Sequence, residues 1–170
     1  MPNHQLNRKT PLHTRANVAY FGTFGYELDL NKLSDEEISE VKQQITFMKE
    51  YRELIQFGTF YRLKSPFEGN ETAWMTVSED KKTALVFWYR ERNVVNADFT
   101  RVRLQGLDPD LIYRNEYNGT ENYGDELMNL GLLTTDCTAG EPTSEDEPCT
   151  DYELSLIHIS EPTRQEATSY

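Results

Sequence analysis

The chain has 170 residues, 37% of them hydrophobic, and its 17 basic and 29 acidic side chains give a formal net charge of −12. An acidic chain repels phosphate backbones and anionic lipid surfaces, which argues against nucleic acid or a membrane as the main partner. No apolar run is long enough for a transmembrane helix or follows the basic first residues as in a secretory signal, so we expect a cytoplasmic protein.

The first apolar segment follows a largely polar stretch, residues 1–17, that has no periodicity. Residues 17–21 form a short run that Gly22 and Gly25 close, and this pattern predicts a buried strand. The alternating stretch 26–30 follows and leads to the strongest local signal of the chain.

A long helix is predicted over residues 34–57. Ser34 and Glu37 have the spacing of a capping box, in which each side chain binds the backbone N–H of the other residue. Apolar residues then recur near a period of 3.6, and Gly58 stands where a glycine ends a helix. The apolar positions are Ile38, Val41, Ile45, Met48 and Ile55.

The pattern after Gly58 is that of antiparallel strands. Residues 59–63 form one strand, and residues 72–77 and 83–89 form a hairpin about a polar turn at 78–82. Further strands are predicted at 100–104 and 111–116, a spacing typical of a sandwich. A series of aromatic residues favours the inner face of that sandwich over a sugar-stacking platform: Phe57, Phe60, Tyr61, Trp74, Phe87, Trp88 and Tyr89.

The segment 136–153 is strongly acidic and is expected to be a surface loop. Cys137 and Cys149 flank it, and we expect free thiols in preference to a disulfide. A zinc site would need two more ligands, and the one histidine near the cysteines is His158. The sequence therefore predicts no metal and no cofactor.

We expect the last part of the chain not to belong to the natural protein. Residues 154–164 match, over eleven consecutive codons, the in-frame translation of the mosaic-end adapter used in transposase-based DNA library preparation. We therefore expect the natural sequence to stop near Glu153 and residues 154–170 to be a non-native tail, with His158 discounted as a ligand. Residues 154–159 still have a strand pattern, and accidental burial of their apolar side chains is enough to place them in a sheet.

Several long motifs resemble the C-terminal part of bacterial α-galactosidases of glycoside hydrolase family 36. The motifs are residues 24–30 (FGYELDL), 56–63 (QFGTFYRL), 65–75 (SPFEGNETAWM) and 104–109 (LQGLDP), and residues 2–5 (PNHQ) and 123–129 (YGDELMN) also fit. The resemblance covers essentially residues 1–131. After Gly131 the sequence departs from the family pattern. The family has a short connection and a last strand there, whereas this chain has the acidic loop and the adapter-derived residues.

The resemblance implies an α+β fold, in which the last βα unit of a (β/α)8 barrel precedes a C-terminal antiparallel β-sandwich. Residues 1–58 are then the end of the barrel, residues 59–153 the sandwich and residues 154–170 the tail. Residues 2–5 follow the seventh barrel strand, residues 18–21 are the eighth strand, and residues 34–57 are the eighth helix. Without its native last strand, the sheet is expected to leave an exposed edge.

The resemblance also implies a retaining α-galactosidase, which hydrolyses terminal α-galactosyl residues of raffinose- or melibiose-type oligosaccharides through two aspartates. The family motifs that carry them, Trp-Asp-Met-Asn and Ser-Asp-Asn-Thr-Asp, are absent from the chain. We therefore expect both carboxylates upstream of Met1, an inactive fragment, and a homo-oligomeric, commonly tetrameric, parent enzyme.

Residues at the barrel mouth are the remaining candidates for substrate contact. Asn3, His4 and Gln5 could approach the sugar or only hold their loop. Glu27 and Asp29 stand two residues apart like a catalytic pair, but we expect them to brace the loop or the helix. The alternative to an enzyme fragment is a non-catalytic β-sandwich module for carbohydrate binding or protein contact.

Overall fold

The computed structural model describes residues 11–90, 100–116, 118–134 and 153–160; within 153–160, side chains are described only for Ile159 and Ser160. The predicted acidic loop up to residue 152, the two cysteines and Asn3, His4 and Gln5 lie outside these residues. The chain divides into two compact units, Met1–Phe57 and Gly58–Tyr170. Each unit is described by itself below.

The first unit contains two α-helices, α1 (Leu12–Tyr20) and α2 (Asp35–Phe57), with a 3-10 helix at Leu30–Lys32 between them. The aromatic ring of Tyr20 packs on Phe47 of α2 at 4.8 Å and on Phe24 at 5.0 Å between ring centroids. Val41, Gln44 and Met48 are the buried positions of α2, so its inner face follows the predicted helical period.

The predicted strand at residues 17–21, and with it the eighth barrel strand at 18–21, is wrong. Residues 12–20 are helical, and no strand occurs within residues 11–57, all of which are described. The buried side chains Ala16 and Tyr20 lie four residues apart, as on one face of a helix, whereas Val18 is 51% exposed. A short apolar run does not distinguish the two structures, and Leu, Ala and Arg around it favour helix.

The predicted capping box is confirmed in both directions. The Ser34 N–H donates to the Glu37 carboxylate at 2.9 Å, and the Glu37 N–H donates to the Ser34 hydroxyl at 3.2 Å. Asp35, Glu36 and Glu37 place negative charge in the first turn, where the helix dipole favours it. The helix ends at Phe57, directly before Gly58, as predicted.

Ser34→Ala should destabilise the first unit by about 1 kcal/mol, because the substitution leaves the Glu37 N–H without its side-chain acceptor. Urea unfolding followed by far-UV circular dichroism measures this change. Ser34→Asp is the matched control, since its carboxylate also accepts from the helix N-terminus and should retain most of the stability. Equal loss in both variants would contradict a capping role.

The second unit is built on a six-stranded antiparallel sheet. The strands are β1 (Thr59–Lys64), β2 (Glu71–Val77), β3 (Thr83–Arg90), β5 (Ile112–Asn115), β6 (Glu121–Tyr123) and β8 (Glu153–Ser160). They lie in the order β1-β2-β3-β8-β5-β6. The predicted hairpin is confirmed: β2 pairs with β3 over seven residues, from Glu71 opposite Arg90 to Val77 opposite Ala84.

The polar turn of this hairpin is closed by its own side chains. The Ser78 hydroxyl donates to the Asp80 carboxylate at 2.6 Å, and the Lys82 N–H donates to the same oxygen at 3.1 Å. The buried Tyr113 hydroxyl donates to the Lys81 carbonyl at 2.5 Å, which ties the turn to β5. The polar residues of the turn predicted its position, but they did not predict the long-range contact with Tyr113.

Strand β8 occupies the middle of the sheet, so the expected exposed edge beside β3 is absent. Eight residues of β8 pair with all eight residues of β3, and Ser160 and Ile159 pair with Arg114 and Asn115 of β5. Ile159 is 1% exposed and belongs to the core. The apolar, alternating residues of this segment are sufficient to fill the position, whatever their origin.

A second, smaller layer covers one face of the sheet. Strands β4 (Arg101–Val102) and β7 (Leu132–Leu133) pair with each other, and the short helix α3 (Gly124–Asn129) precedes β7. Val102, Leu127 and Leu132 join Met75, Val86 and Trp88 of the sheet in one core cluster. The two layers around this core form the predicted sandwich.

The aromatic residues predicted for the inner face of the sandwich differ in burial. Phe87 and Trp88 are almost fully buried, and Tyr61 packs against the core cluster, whereas Phe57 is 83% and Phe60 48% exposed. The predicted strand at 100–104 is shorter than expected, since only Arg101–Val102 is extended and paired. Strand β6 and helix α3 were not predicted, because their few residues carry little periodicity.

Candidate functional site

The second unit has an open cavity of about 380 Å³ at one end of the β2–β3 hairpin. Pro66, Gly69 and Asn70 of the loop before β2 line it, together with strand residues, among them Trp74 and Tyr89. Its volume lies in the range of about 300–1,000 Å³ that is usual for small-molecule pockets. The antiparallel register brings these residues together, since Thr72 lies opposite Tyr89 and Trp74 opposite Phe87.

Trp74 forms an aromatic wall of this cavity. Its ring stacks on Phe87 with 4.0 Å between ring centroids and an interplanar angle of 11°. Phe87 is 1% exposed, so the Trp74 ring is supported from behind by a buried side chain. The orientation of Trp74 is therefore fixed by packing.

Glu71 is held by two cations on the face of the sheet that carries Trp88, opposite the face of Trp74. The Arg90 guanidinium donates to one carboxylate oxygen at 3.2 Å, and the Lys64 ammonium donates to the other. Arg90 also donates to the Thr100 hydroxyl at 2.8 Å and lies 4.9 Å from the centre of the Trp88 ring. The side chains of Glu71 and Arg90 are 16% and 7% exposed, so this ion pair is largely removed from water.

The ion cluster determines the charge state of Glu71. Burial alone would raise the pKa of its carboxyl, but hydrogen bonds and charge interactions with Lys64 and Arg90 outweigh burial and hold the pKa below the ordinary value of 4.5. Glu71 is therefore a carboxylate at neutral pH. It accepts hydrogen bonds and does not donate them.

Acid should destabilise the second unit through Glu71. A carboxyl whose pKa is lowered on folding contributes stability that is present above the unfolded-state pKa and is lost as the pH falls through the folded-state pKa. We expect the urea midpoint to fall as the pH drops from about 6 to about 3, and to fall less in Glu71→Gln. Asp80, whose pKa the Ser78 hydroxyl lowers, contributes in the same direction in both proteins. Identical pH profiles would refute the role of Glu71.

The first unit contains a partly buried polar network of a different kind. The Tyr26 hydroxyl donates to the side-chain oxygen of Gln44, and the Gln44 amide donates to Glu40 at 2.9 Å. Burial, and then the proximity of Tyr26 and Glu40, raise the pKa of Tyr20. A cavity of about 240 Å³ lies beside this network and is lined by residues such as Arg15 and Phe24. The network connects α2 to Tyr26 in the segment after α1.

The two carboxylates that stand two residues apart in the sequence have different surroundings. Asp29 accepts hydrogen bonds from the backbone and side-chain N–H groups of Asn31 at 3.1 and 3.0 Å, so it begins the 3-10 helix. Glu27 is exposed. Asp29 therefore braces the loop, as expected.

The cluster around Glu71 was missed by sequence reasoning. Lys64 and Arg90 are distant from one another in sequence and meet Glu71 through the registers of β1 and β3 with β2. Within the described residues, no three His, Cys, Asp or Glu side chains converge as a metal site. The described helices include none that combines the length and the apolar character of a membrane span.

Comparison with known proteins gives two family matches. The family described as Melibiase matches residues 1–58, and the glycosyl hydrolase family 36 C-terminal domain matches residues 71–159. Alpha-galactosidase AgaA of Geobacillus stearothermophilus is 52% identical over 132 residues, which are 78% of this chain and 18% of AgaA.

Two solved structures show the same relationship. An AgaA variant in complex with raffinose superimposes with a TM-score of 0.81 at 42% identity, covering 94% of this chain and 21% of AgaA. The alpha-galactosidase of Lactobacillus brevis gives a TM-score of 0.85 at 37% identity, covering 100% of this chain and 22% of that protein. The chain thus spans about a fifth of the length of these relatives.

The matched regions agree with the architecture described above. The C-terminal family match begins at the first residue of β2 and ends inside β8, so it contains most of the sheet and the strand residues that line the cavity. This match alone covers more than half of the residues. The chain therefore belongs to glycosyl hydrolase family 36.

Proposed function

We propose that this chain is the C-terminal part of an α-galactosidase that hydrolyses terminal α-galactosyl residues of raffinose- or melibiose-type oligosaccharides. The observation that carries the proposal is the 52% identity to AgaA over 132 residues. The likeness to an AgaA structure in complex with raffinose supports the substrate class. The chain itself supplies neither of the two carboxylates that a retaining glycosidase needs.

We expect the isolated chain to be inactive, because it supplies neither carboxylate. The 170-residue protein should hydrolyse no chromogenic α-galactoside above a vector-only control, because the nucleophile and the acid/base residue belong to the part of the enzyme that it lacks. A chimera with AgaA also tests the proposal. In this chimera, residues 1–134 of the chain replace the matching segment of AgaA. The chimera should hydrolyse raffinose, and a folded but inactive chimera would contradict the proposal.

Asn3, His4 and Gln5 are proposed to contact the substrate at the barrel mouth. Imidazole and amide groups suit the recognition of sugar hydroxyls. In the chimera, His4→Ala should raise KM for raffinose about tenfold, the loss expected for one hydrogen bond of roughly 1.4 kcal/mol. His13→Ala is the matched control, since His13 is an exposed residue of α1. Equal kinetics for both variants would remove His4 from the site.

We also propose that the intact enzyme is a cytoplasmic homo-oligomer. The family resemblance supports the oligomer and suggests a tetramer, and the low cysteine content, two in 170 residues, suits a reducing compartment. Size-exclusion chromatography with light scattering on the chimera tests the oligomer. A monomeric chimera at micromolar concentration would contradict it.

We further propose the division of the chain into a barrel end at 1–58, a sandwich at 59–153 and an adapter-derived tail at 154–170. The separation of the two compact units between Phe57 and Gly58 supports the first boundary. The eleven-residue match of residues 154–164 to the adapter translation supports the second. Resequencing of the locus from unamplified DNA should give a different continuation after about Glu153, and the same codons there would refute it.

A further inference from the structure

We propose that the first unit carries a docking surface for the rest of the catalytic domain of an α-galactosidase, and that the two polypeptides assemble into an active enzyme without a covalent link. The docking surface consists of the end of α2, with Leu54, Ile55 and Phe57, and of the cavity beside α1. The identity of the partner rests on the proposed function. The surface itself rests on three features of the first unit: the length of α2, the continuation of its apolar stripe and the cavity.

Helix α2 is much longer than the helix that packs on it. Its 23 residues extend over about 34 Å, whereas the nine residues of α1 extend over about 13 Å. Tyr20 and Tyr26 contact α2 at Gln44 and Phe47, near the middle of the long helix. Residues 49–57 are all described, and none of them is buried. The last part of α2 therefore extends beyond the cover that α1 provides.

The inner stripe of α2 continues where its burial stops. Val41, Gln44 and Met48 are the buried positions of the helix, and they lie three and four residues apart. The same spacing leads from Met48 through Tyr51 to Ile55, and the last two are only partly buried. Because most helical stability comes from packing of such a face, the remainder of the stripe is suited to a second partner.

Exposed apolar side chains extend this stripe to the end of the helix. Phe57 is 83% exposed, and Leu54, which is only partly buried, lies one turn before it. Single exposed apolar residues such as Leu30 and Val18 are usual on a protein surface. A series of neighbouring ones on a helix is instead typical of an interaction surface.

The cavity beside α1 has the size of a socket for a side chain. Its volume of about 240 Å³ lies below the range of about 300–1,000 Å³ that is usual for small-molecule pockets. Leu12, Ala16 and Ala19 line it from one face of α1, together with Phe24. Arg15 is the one charged residue of the lining. The lining therefore suits a partner that inserts a side chain against α1 and offers Arg15 an acceptor.

The relatives favour one occupant of the docking surface. The Melibiase match covers residues 1–58 and thus the whole first unit, while the chain spans only 18% of AgaA. About four-fifths of an enzyme of that length therefore lies outside the chain, and we place both catalytic carboxylates there. The rest of the same folded domain is the partner that an unfinished apolar helix face and an empty socket fit best.

Co-expression tests the assembly. One polypeptide is an affinity-tagged AgaA that ends where its match to this chain begins, and the other is the full 170-residue chain. We expect the chain to co-purify with the tagged polypeptide and the pair to hydrolyse a chromogenic α-galactoside. Neither polypeptide alone should exceed the vector-only control. A pair that remains inactive or insoluble would overturn the assembly.

Two substitutions locate the contact. Ile55→Asp places a charge in the stripe and should reduce the recovered activity about tenfold or more, because burial of an unpaired carboxylate is unfavourable. Gln56→Asp is the matched control, since it adds the same charge to the same helical turn at an exposed position. It should retain the activity of the parent chain. Equal activities of the two variants would remove the end of α2 from the docking surface.

Hydrogen exchange on the covalent chimera gives a second measurement, which does not require the shortened AgaA to fold. The amides of residues 49–57 should exchange about a hundredfold more slowly in the chimera than in the 170-residue chain, because the partner then covers them. Equal exchange in the two proteins would overturn the surface. Light scattering of the chain alone should give a monomer, and a dimer that Ile55→Asp dissociates would assign the surface to a second copy instead.

These outcomes separate the docking surface from the proposed function. A chimera that hydrolyses raffinose while its amides at 49–57 remain unprotected would refute the surface and leave the proposed function intact. A folded but inactive chimera with protected amides would contradict the proposed function and support the surface.

Discussion

Ending the chain after residue 152 is expected to abolish the cooperative unfolding of the second unit. Strand β8 pairs with every residue of β3 and with two residues of β5, so its loss divides the sheet into a three-stranded and a two-stranded part. It also removes Ile159 from the core. The combined loss is comparable to the whole stability of a domain, about 5–15 kcal/mol. Near-UV circular dichroism and urea unfolding of the shortened chain measure the effect.

Two further proteins make this experiment specific. A chain that ends after Ser160 retains β8 and should unfold like the full chain. Ile159→Asp in the full chain places a charge in the core and should reproduce much of the loss. A chain ending at residue 152 that keeps a sharp urea transition would show that β8 is not required for the sheet.

Gly124→Ala should destabilise the second unit by about 3 kcal/mol or more, at the upper end of the cost of overpacking. A Cβ atom at Gly124 would overlap the carbonyl oxygen of Asp108 and would lie 2.8 Å from its carbonyl carbon and 3.0 Å from the Tyr113 ring. Helix α3 has little freedom to move away, because the Leu104 N–H donates to the Leu127 carbonyl at 3.1 Å and Leu127 is buried.

Gly69→Ala is the matched control for this substitution. It lies in the same unit, and a Cβ atom there would meet nothing within 4 Å. We expect a change within about 0.5 kcal/mol, the usual range for surface substitutions. Urea midpoints of the three proteins decide the comparison. Similar stabilities of the two variants would show that the backbone at Asp108 moves away from the added Cβ atom with little loss of stability.

The sequence predicted correctly those helices and strands that are determined by residues close to one another in the chain. The capping box at Ser34 and the apolar period after it define α2 without reference to the rest of the molecule. The β2–β3 hairpin is similar, since its strands are separated only by a polar turn that binds itself. The family resemblance then supplied the two-part architecture, which composition and periodicity alone do not specify.

The errors arose where distant residues decide the structure. Residues 17–21 are apolar enough for a strand, and only the packing of Tyr20 against Phe47 settles the helix. The ion cluster shows the same limit, since strand register alone brings Lys64 and Arg90 to Glu71. Trp74 was grouped with core aromatics, but its position beside the loop before β2 makes it part of a cavity wall.

The central place of β8 also determines when the second unit can complete its fold. Thr83 and Ser160 form the first pair of the β3–β8 ladder although nearly half the chain separates them. Such non-local pairing raises the contact order and slows folding, because the intervening chain must close before the contact forms. During synthesis, β1, β2 and β3 therefore leave the ribosome long before their partner. Until then β3 carries an unpaired row of backbone groups, a period in which a chaperone would protect it from other nascent chains.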